Sequence, residues 1–282
     1  MEVKIIECPR DAMQGLKGFV DTSKKIKYLN SLLKVGFHTL DCGSFVSHKL
    51  IPQMADSAQV IEKLNPGKTK LSVIVANIRG ASDAASHEKI TYLGYPFSVS
   101  ETFQKRNANS SIKESFETVN EILNICEKNN KIFIAYISMC FGNPYGDLWN
   151  EDIIINWIRK LKNSGVSYFS LSDTAAMSNP KSISLIINAV KNEFPKLNYG
   201  CHFHTHEYNW QEKIETAYNY GCRRFDGALK GYGGCPMASD KLVGNMPTEK
   251  MFDYFEKKSI NTGLIPGKLM DAMLLANEIF IK

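Results

Sequence analysis

In the segment YGCHFHTHE, His202 and His204 stand two residues apart at the end of an alternating apolar run. Side chains at i and i+2 of a β-strand share a face, so the two imidazoles converge on one point. Such a pair can hold a divalent metal ion; a polar strand end with no metal is the plainer alternative. Two imidazoles make a metal site only if oxygen ligands arrive from elsewhere. Candidates that could bring polar groups to the same place are Arg10 and Asp11, Asp41 and Ser44, Asn77, Tyr136, Asp173 and Thr174, and Lys230 with the GYGGCP loop. Each follows or ends a short β-branched run. Two imidazoles and a carboxylate suit Mn²⁺, Mg²⁺ or Zn²⁺ and leave positions open for substrate oxygens. An oxygen-rich set without thiolate favours Mg²⁺ or Mn²⁺. For Asp11 and Asp173, capping of a following helix is the competing role.

The elements that must position these residues alternate regularly. VKIIE, HTLDCGS, LSVIVAN, ITYLGYP, IFIAYIS, SYFSLSD, LNYGCHFHT and RRFDGAL read as eight strands. Between them, TSKKIKYLNSLLKVG, SIKESFETVNEILNICEKN and EDIIINWIRKLKNSG have helical spacing. Thr22 is expected as an N-cap, and Gly36 and Gly165 as left-handed helix ends. Eight βα units at a spacing of about 35 residues most economically close into one α/β (β/α)₈ TIM barrel, a single domain over residues 1–282. A doubly wound open sheet is the alternative, but no glycine-rich dinucleotide loop follows the first strand. In a barrel, strand C-terminal ends build the active site, which is where the polar candidates fall.

Composition narrows the function classes. The formal charge of +5, from 34 basic and 29 acidic residues, is spread along the chain, with short pairs at Lys24-Lys25, Arg223-Arg224 and Lys257-Lys258. That argues against a nucleic-acid partner and leaves room for a basic patch facing an anionic ligand. No apolar run approaches the roughly 20 residues of a membrane span. Seven cysteines occur without a Cys-x-x-Cys pair. With an opening MEVKIIECPR that lacks the marks of a leader, they suggest a reduced, cytoplasmic protein.

The chain resembles the 3-hydroxy-3-methylglutaryl-CoA lyase family, within the metal-dependent TIM-barrel lyases and Claisen condensing enzymes. The resemblance runs through CPRDAMQ, SFVSHKLIPQM, SETFQKRNANSSIKES, SLSDT, HFH, GYGGCPMA and the Gly244-Asn245 pair, in that order. It implies that Asp11, His202, His204 and Asn245 are metal ligands and that Arg10 neutralises the enolate oxygen as a carbon–carbon bond breaks. By the same resemblance, Cys235 exchanges a proton with the acetyl-CoA carbanion, although small apolar packing is the usual role of such a cysteine. Asp41 and Asp173 match catalytic acidic positions near the metal. Gln14, Ser44, Asn77, Tyr136 and Thr174 match positions that contact the acyl group. Lys105 and Arg106 match a loop near CoA and would pair with its phosphates, or would simply be a solvated helix face.

The implied reaction is cleavage of 3-hydroxy-3-methylglutaryl-CoA, or a close 3-hydroxyacyl-CoA, to acetyl-CoA and a keto acid such as acetoacetate. The general base is an acidic residue or one of the histidines. A related aldolase or condensing enzyme, or a non-catalytic acyl-CoA-binding barrel, is the alternative. The resemblance also implies a homodimer. The chain departs from the family pattern at Asp41, where glutamate is usual, at Ala12, where glycine is usual, and at Thr205-His206, where Asp-Thr is usual. These departures bear on the acyl group more than on the reaction type. His206 shares the strand face of His202 and His204 if the strand continues; otherwise it starts the next loop.

Overall fold

The computed structural model describes residues 2–234 and 243–280. Its strands are β1 (Lys4–Glu7), β2 (Thr39–Ser44), β3 (Lys70–Ile74), β4 (Ile90–Ser98), β5 (Ile132–Ser138), β6 (Tyr168–Asp173), β7 (Asn198–Thr205), β8 (Arg224–Gly227) and β9 (Gly244–Asn245). The first eight are parallel neighbours in chain order; β1 pairs with β8 and β6 with β7, so the sheet closes on itself. Each of the eight runs expected to be a strand forms one, and the result is a (β/α)₈ barrel.

Alternation along each strand sorts the side chains. On β5, Phe133, Ala135 and Ile137 join the large core between barrel and helices, whereas Ile134 and Tyr136 pack with Tyr92, Ile74, Ile132 and Tyr168 in a second, smaller cluster. The same period of two puts Cys201 and Phe203 of β7 in the outer core and turns His202 and His204 the other way. The convergence of the two imidazoles is thus a consequence of burying Cys201 and Phe203.

The three segments with helical spacing form helices over Thr22–Leu32, Ile112–Lys128 and Glu151–Asn163. Their ends differ in detail from expectation. Asp21, not Thr22, occupies the N-cap position; Thr22 is the first helical residue and donates its hydroxyl to Asp56 at 2.8 Å, a long-range contact invisible in local sequence. Gly165 takes a positive φ of 109° just beyond the helix end, as expected. Gly36, also at positive φ, lies further past its helix, and a Cβ there would stand 2.6 Å from the carbonyl oxygen of Gly263.

β9 is the addition that the strand count does not anticipate. It pairs antiparallel with the end of β7, setting Asn245 opposite His204 and Gly244 opposite Thr205. No helix among the described residues is long and apolar enough to cross a membrane.

Candidate active site

At the C-terminal rim of the barrel a cavity of about 390 Å³ is lined by Arg10, Asp11, Gln14, Tyr136, Ser138, Ser172, Thr174, His202 and His204, with Val46, Leu50, Ile51, Ile74 and Phe103 forming apolar wall. Arg10 and Asp11 belong to a short helix, Pro9–Gln14, that begins directly after β1. Proline at its first position supplies a preset φ and lacks only an N–H that would have no helical partner. That sharp entry places consecutive charged residues over the barrel mouth.

The two imidazoles face one another, with Nε2 atoms 3.3 Å apart. Each is held from behind. Nδ1 of His204 donates to the Thr174 carbonyl at 2.9 Å, and Nδ1 of His202 donates to the Asp226 carboxylate at 3.2 Å. With both Nδ1 protons committed, both Nε2 lone pairs point into the site, an arrangement typical of metal-ligating histidines. Asp11 completes the group: a carboxylate oxygen and the two imidazole nitrogens lie within 4.8 Å of one another.

Asn245 supplies the decisive fit. Its Nδ2 donates to Asp11 at 2.6 Å and to the Tyr232 carbonyl at 2.9 Å, while its buried Oδ1 has no hydrogen-bond partner. A buried amide oxygen without a donor costs on the order of 1–3 kcal/mol unless something else satisfies it. A hard cation would do so. Two imidazole nitrogens, one carboxylate oxygen and one amide oxygen suit Mg²⁺ or Mn²⁺ with open positions remaining. Gly233, at φ 94°, lets the chain pass here: a Cβ would lie 2.5 Å from the Asp11 carbonyl and 2.8 Å from Asn245 Nδ2.

Electrostatics support the same reading. Burial would raise the Asp11 pKa, but Arg10, both histidines and Asn245 outweigh it and hold the carboxyl down at about 2. Burial pulls His202 down, yet the hydrogen bond and charge of Asp226 leave it above its ordinary value; burial and the neighbouring His202 lower His204. Cys8, whose sulfur groups with His202 and Asp226, is pushed well up by burial and then by the Asp226, Asp41 and Asp11 charges. Those neighbouring carboxylates disfavour its thiolate form.

Arg10 is gripped on three sides. Nε and Nη2 donate to Asp41 at 3.1 and 2.5 Å, and Nη1 donates to Asp11 and to Gln14, each at 2.9 Å. Of the five guanidinium N–H groups, this leaves one on Nη2 for a substrate oxygen. The aspartate at position 41 still reaches the guanidinium despite being one methylene shorter than glutamate.

The structure distributes the other candidates unevenly. Gln14, Tyr136 and Thr174 line the cavity; Asp41, Ser44 and Asn77 do not. Asp41 orients Arg10. Ser44 is buried, with its N–H donating to Ser57, and Asn77 caps the helix Ile78–Ala85 by accepting from the Gly80 N–H at 2.8 Å. Asp173 sits on β6 out of phase with the cavity-facing Ser172, so its carboxylate turns behind the barrel, to Lys213 at 2.7 Å and to Ser178. The same lysine ammonium donates to the His204 carbonyl at 2.8 Å. Lys105 and Arg106 are exposed on the helix Glu101–Ala108, whose Phe103 and Asn107 reach the cavity; Lys105 pairs with Glu101, and Arg106 lies 5.0 Å from the Tyr145 ring. His206 is exposed and stacks on Tyr208, away from the metal group. Cys235 lies outside the described residues.

Sequence reasoning missed Asp226. RRFDGAL reads as a strand, and an acid inside a buried strand is the local signal; its register opposite His202 exists only in the closed sheet.

A sequence profile described as HMGL-like matches residues 2–275. Mitochondrial hydroxymethylglutaryl-CoA lyase of Macaca fascicularis is 33% identical over 276 residues, 96% of this chain and 83% of that one. The crystal structure of hydroxymethylglutaryl-CoA lyase from Pseudomonas aeruginosa superimposes with a TM-score of 0.92 at 29% identity, covering 100% of this chain and 94% of that one. An HMG-CoA lyase from Acinetobacter baumannii, solved in complex with coenzyme A and 3-methylmalate, has a TM-score of 0.92 at 28% identity, covering 98% and 90% of the two chains. With its metal-type ligand group at the mouth of a barrel matched over nearly its whole length, the chain belongs to the HMGL-like family and is a carbon–carbon lyase of the HMG-CoA lyase type.

Proposed function

We propose that the protein cleaves 3-hydroxy-3-methylglutaryl-CoA, or a close 3-hydroxyacyl-CoA, to acetyl-CoA and a keto acid such as acetoacetate, and that it requires Mg²⁺ or Mn²⁺. The observation that carries this reading is the unpartnered, buried Oδ1 of Asn245 beside Asp11, His202 and His204, next to a guanidinium with one free donor. Asp11, His202, His204 and Asn245 would hold the ion, which as a Lewis acid would chelate the substrate hydroxyl and a neighbouring oxygen and acidify that hydroxyl.

The chain's own groups account for the remaining requirements. The free Nη2 donor of Arg10 is placed for the thioester oxygen on which enolate charge develops, and its fixed hydrogen bonds to Asp41, Asp11 and Gln14 mean that little reorganisation is needed. The hydroxyl proton passes to an acidic residue beside the ion, because both nitrogens of His202 and His204 are already committed. Cys235 protonates the acetyl-CoA carbanion, in keeping with its match to the family's cysteine. The apolar wall of Val46, Ile51, Ile74 and Phe103 excludes water from the developing carbanion. Lys105 and Arg106, exposed on the helix that brings Phe103 to the wall, would meet CoA phosphates outside the mouth. The Acinetobacter relative's complex with coenzyme A supports an acyl-CoA substrate.

Six described cysteines are buried and unpaired, which suits a reducing compartment, and we place the protein in the cytoplasm as a homodimer. The test is acetyl-CoA release from 3-hydroxy-3-methylglutaryl-CoA by purified protein with Mg²⁺ or Mn²⁺, against a chelated control. Release that depends on the ion is the expected result. No release from folded, metal-loaded protein would overturn the substrate assignment and direct the search to another acyl group. In a second arm, Cys235→Ala should abolish turnover and preserve binding of the CoA ester; full activity would remove the proton-donor role.

A further inference from the structure

The helix Pro266–Phe280 buries Leu269, Ala272, Ala276 and Ile279, a stripe at helical spacing that lays it against the barrel. Its last turn meets the segment that follows β8. The Phe280 ring stacks on the Tyr232 ring, with centroids 4.5 Å apart and planes inclined by 18°, and Tyr28 closes on Phe280 edge-on at 6.1 Å. One turn earlier, Asn277 accepts a hydrogen bond from the ammonium of Lys230. We infer that Phe280 and Asn277 are positioning residues for Asn245, acting through Tyr232 and Lys230. The inference rests on the proposed assignment of Asn245 as a metal ligand.

Tyr232 is the link. Its ring lies on Phe280, and its backbone carbonyl accepts from Nδ2 of Asn245 at 2.9 Å. A side-chain amide has two N–H donors and one carbonyl acceptor. With one N–H given to Tyr232 and the other to Asp11 at 2.6 Å, both donors are used and Oδ1 alone is left to face a cation. Without the Tyr232 carbonyl, the amide keeps a single bond and its orientation is no longer fixed.

The segment around Tyr232 transmits movement instead of absorbing it. Lys230 takes a φ of 61°, in the left-handed region that a residue with a side chain keeps only where its surroundings over-determine it. Its N–H donates to Glu249 at 2.8 Å, and the Leu229 N–H donates to Glu7 at 2.7 Å. Those bonds hold the start of the turn, and the Phe280 ring holds Tyr232 beyond it. A Cβ at Gly231 would stand 3.1 Å from the Asn245 carbonyl oxygen, so backbone and ligand are in close contact here. Neither Phe280 nor Asn277 lines the cavity, and their effect reaches the site through Lys230, Tyr232 and Asn245.

The test is calorimetric titration of purified protein with Mn²⁺, with urea unfolding recorded for every variant. Phe280→Ala should weaken Mn²⁺ binding by about tenfold, the lower end of what a partner behind a metal ligand contributes. Phe280→Tyr keeps the ring and should bind as the parent does. Asn245→Asp retains an oxygen ligand but has no N–H to give Tyr232; in that background Phe280→Ala should change Mn²⁺ affinity by less than about twofold. Should Phe280→Ala not fold, Asn277→Ala, which removes the acceptor of Lys230, should weaken binding severalfold, again only with Asn245 intact. Parental affinity in the folded variant, or an equal loss in the parent and Asn245→Asp backgrounds, would overturn the inference and leave the ligand assignment standing. No Mn²⁺ binding by the parent would overturn the ligand assignment and the inference together.

Discussion

Asp226 on β8 and His202 on β7 are register neighbours, and the carboxylate of the first accepts the Nδ1 proton of the second at 3.2 Å. The same oxygen accepts from Ser170 at 3.3 Å, while the other carboxylate oxygen is buried without a hydrogen-bond partner. The acid therefore holds the imidazole in the tautomer and orientation that expose Nε2 to a cation.

Asp226→Asn keeps the shape and removes the charge. Mn²⁺ affinity, measured by titration calorimetry, is expected to fall tenfold to a hundredfold, roughly the cost of losing a partner behind a ligating histidine. Undiminished affinity would remove Asp226 from the site.

Arg10→Lys preserves one positive charge but cannot bond Asp41, Asp11, Gln14 and a substrate oxygen together. We expect kcat to drop by about 10²–10³ with KM for the acyl-CoA changed much less, since the lost contact is one made to developing charge. A rise in KM alone would instead place Arg10 in ground-state binding.

Lys213 is fully buried and donates both to Asp173 and to the backbone of His204. Lys213→Met strands the Asp173 carboxylate and should cost about 3–5 kcal/mol in urea unfolding. The double variant Lys213→Met with Asp173→Leu should recover much of that loss. If the double variant is as unstable as the single one, the ion pair is not what the lysine contributes.

Glu7 gives a dependence on pH. Its carboxyl is buried, accepting from the Leu229 N–H at 2.7 Å and the Thr248 hydroxyl at 2.6 Å, and burial raises its pKa from 4.5 to about 8 despite those bonds. Because the folded value lies above the unfolded one, its favourable contribution is complete below pH 4.5 and is lost as pH rises towards 8, when the folded protein must also ionise. Glu7→Gln keeps a neutral group at every pH. The stability difference between variant and parent should therefore shift in favour of the variant across that window, by a few kcal/mol, and stay constant above it. A difference independent of pH would mean that Glu7 is ionised throughout.

Period and residue type alone determined the eight strands, the barrel and the inward phase of His202 and His204, because alternation follows directly from burying one face of each strand. Resemblance of motifs added the roles of Arg10 and Asp11, and Asn245 as a further ligand. The roles of the remaining polar residues depended on contacts between distant strands. Asp173 ends its strand like a ligand, yet it falls out of phase with the cavity and meets a lysine forty residues away. Asn77 reads as a substrate contact and is spent on a helix cap. Asp226 and Arg224 occupy alternate positions of one short strand, nearer opposite rims, and neither environment exists until the sheet closes. Local pattern specifies which way a side chain points; only closure of the barrel specifies what it finds there.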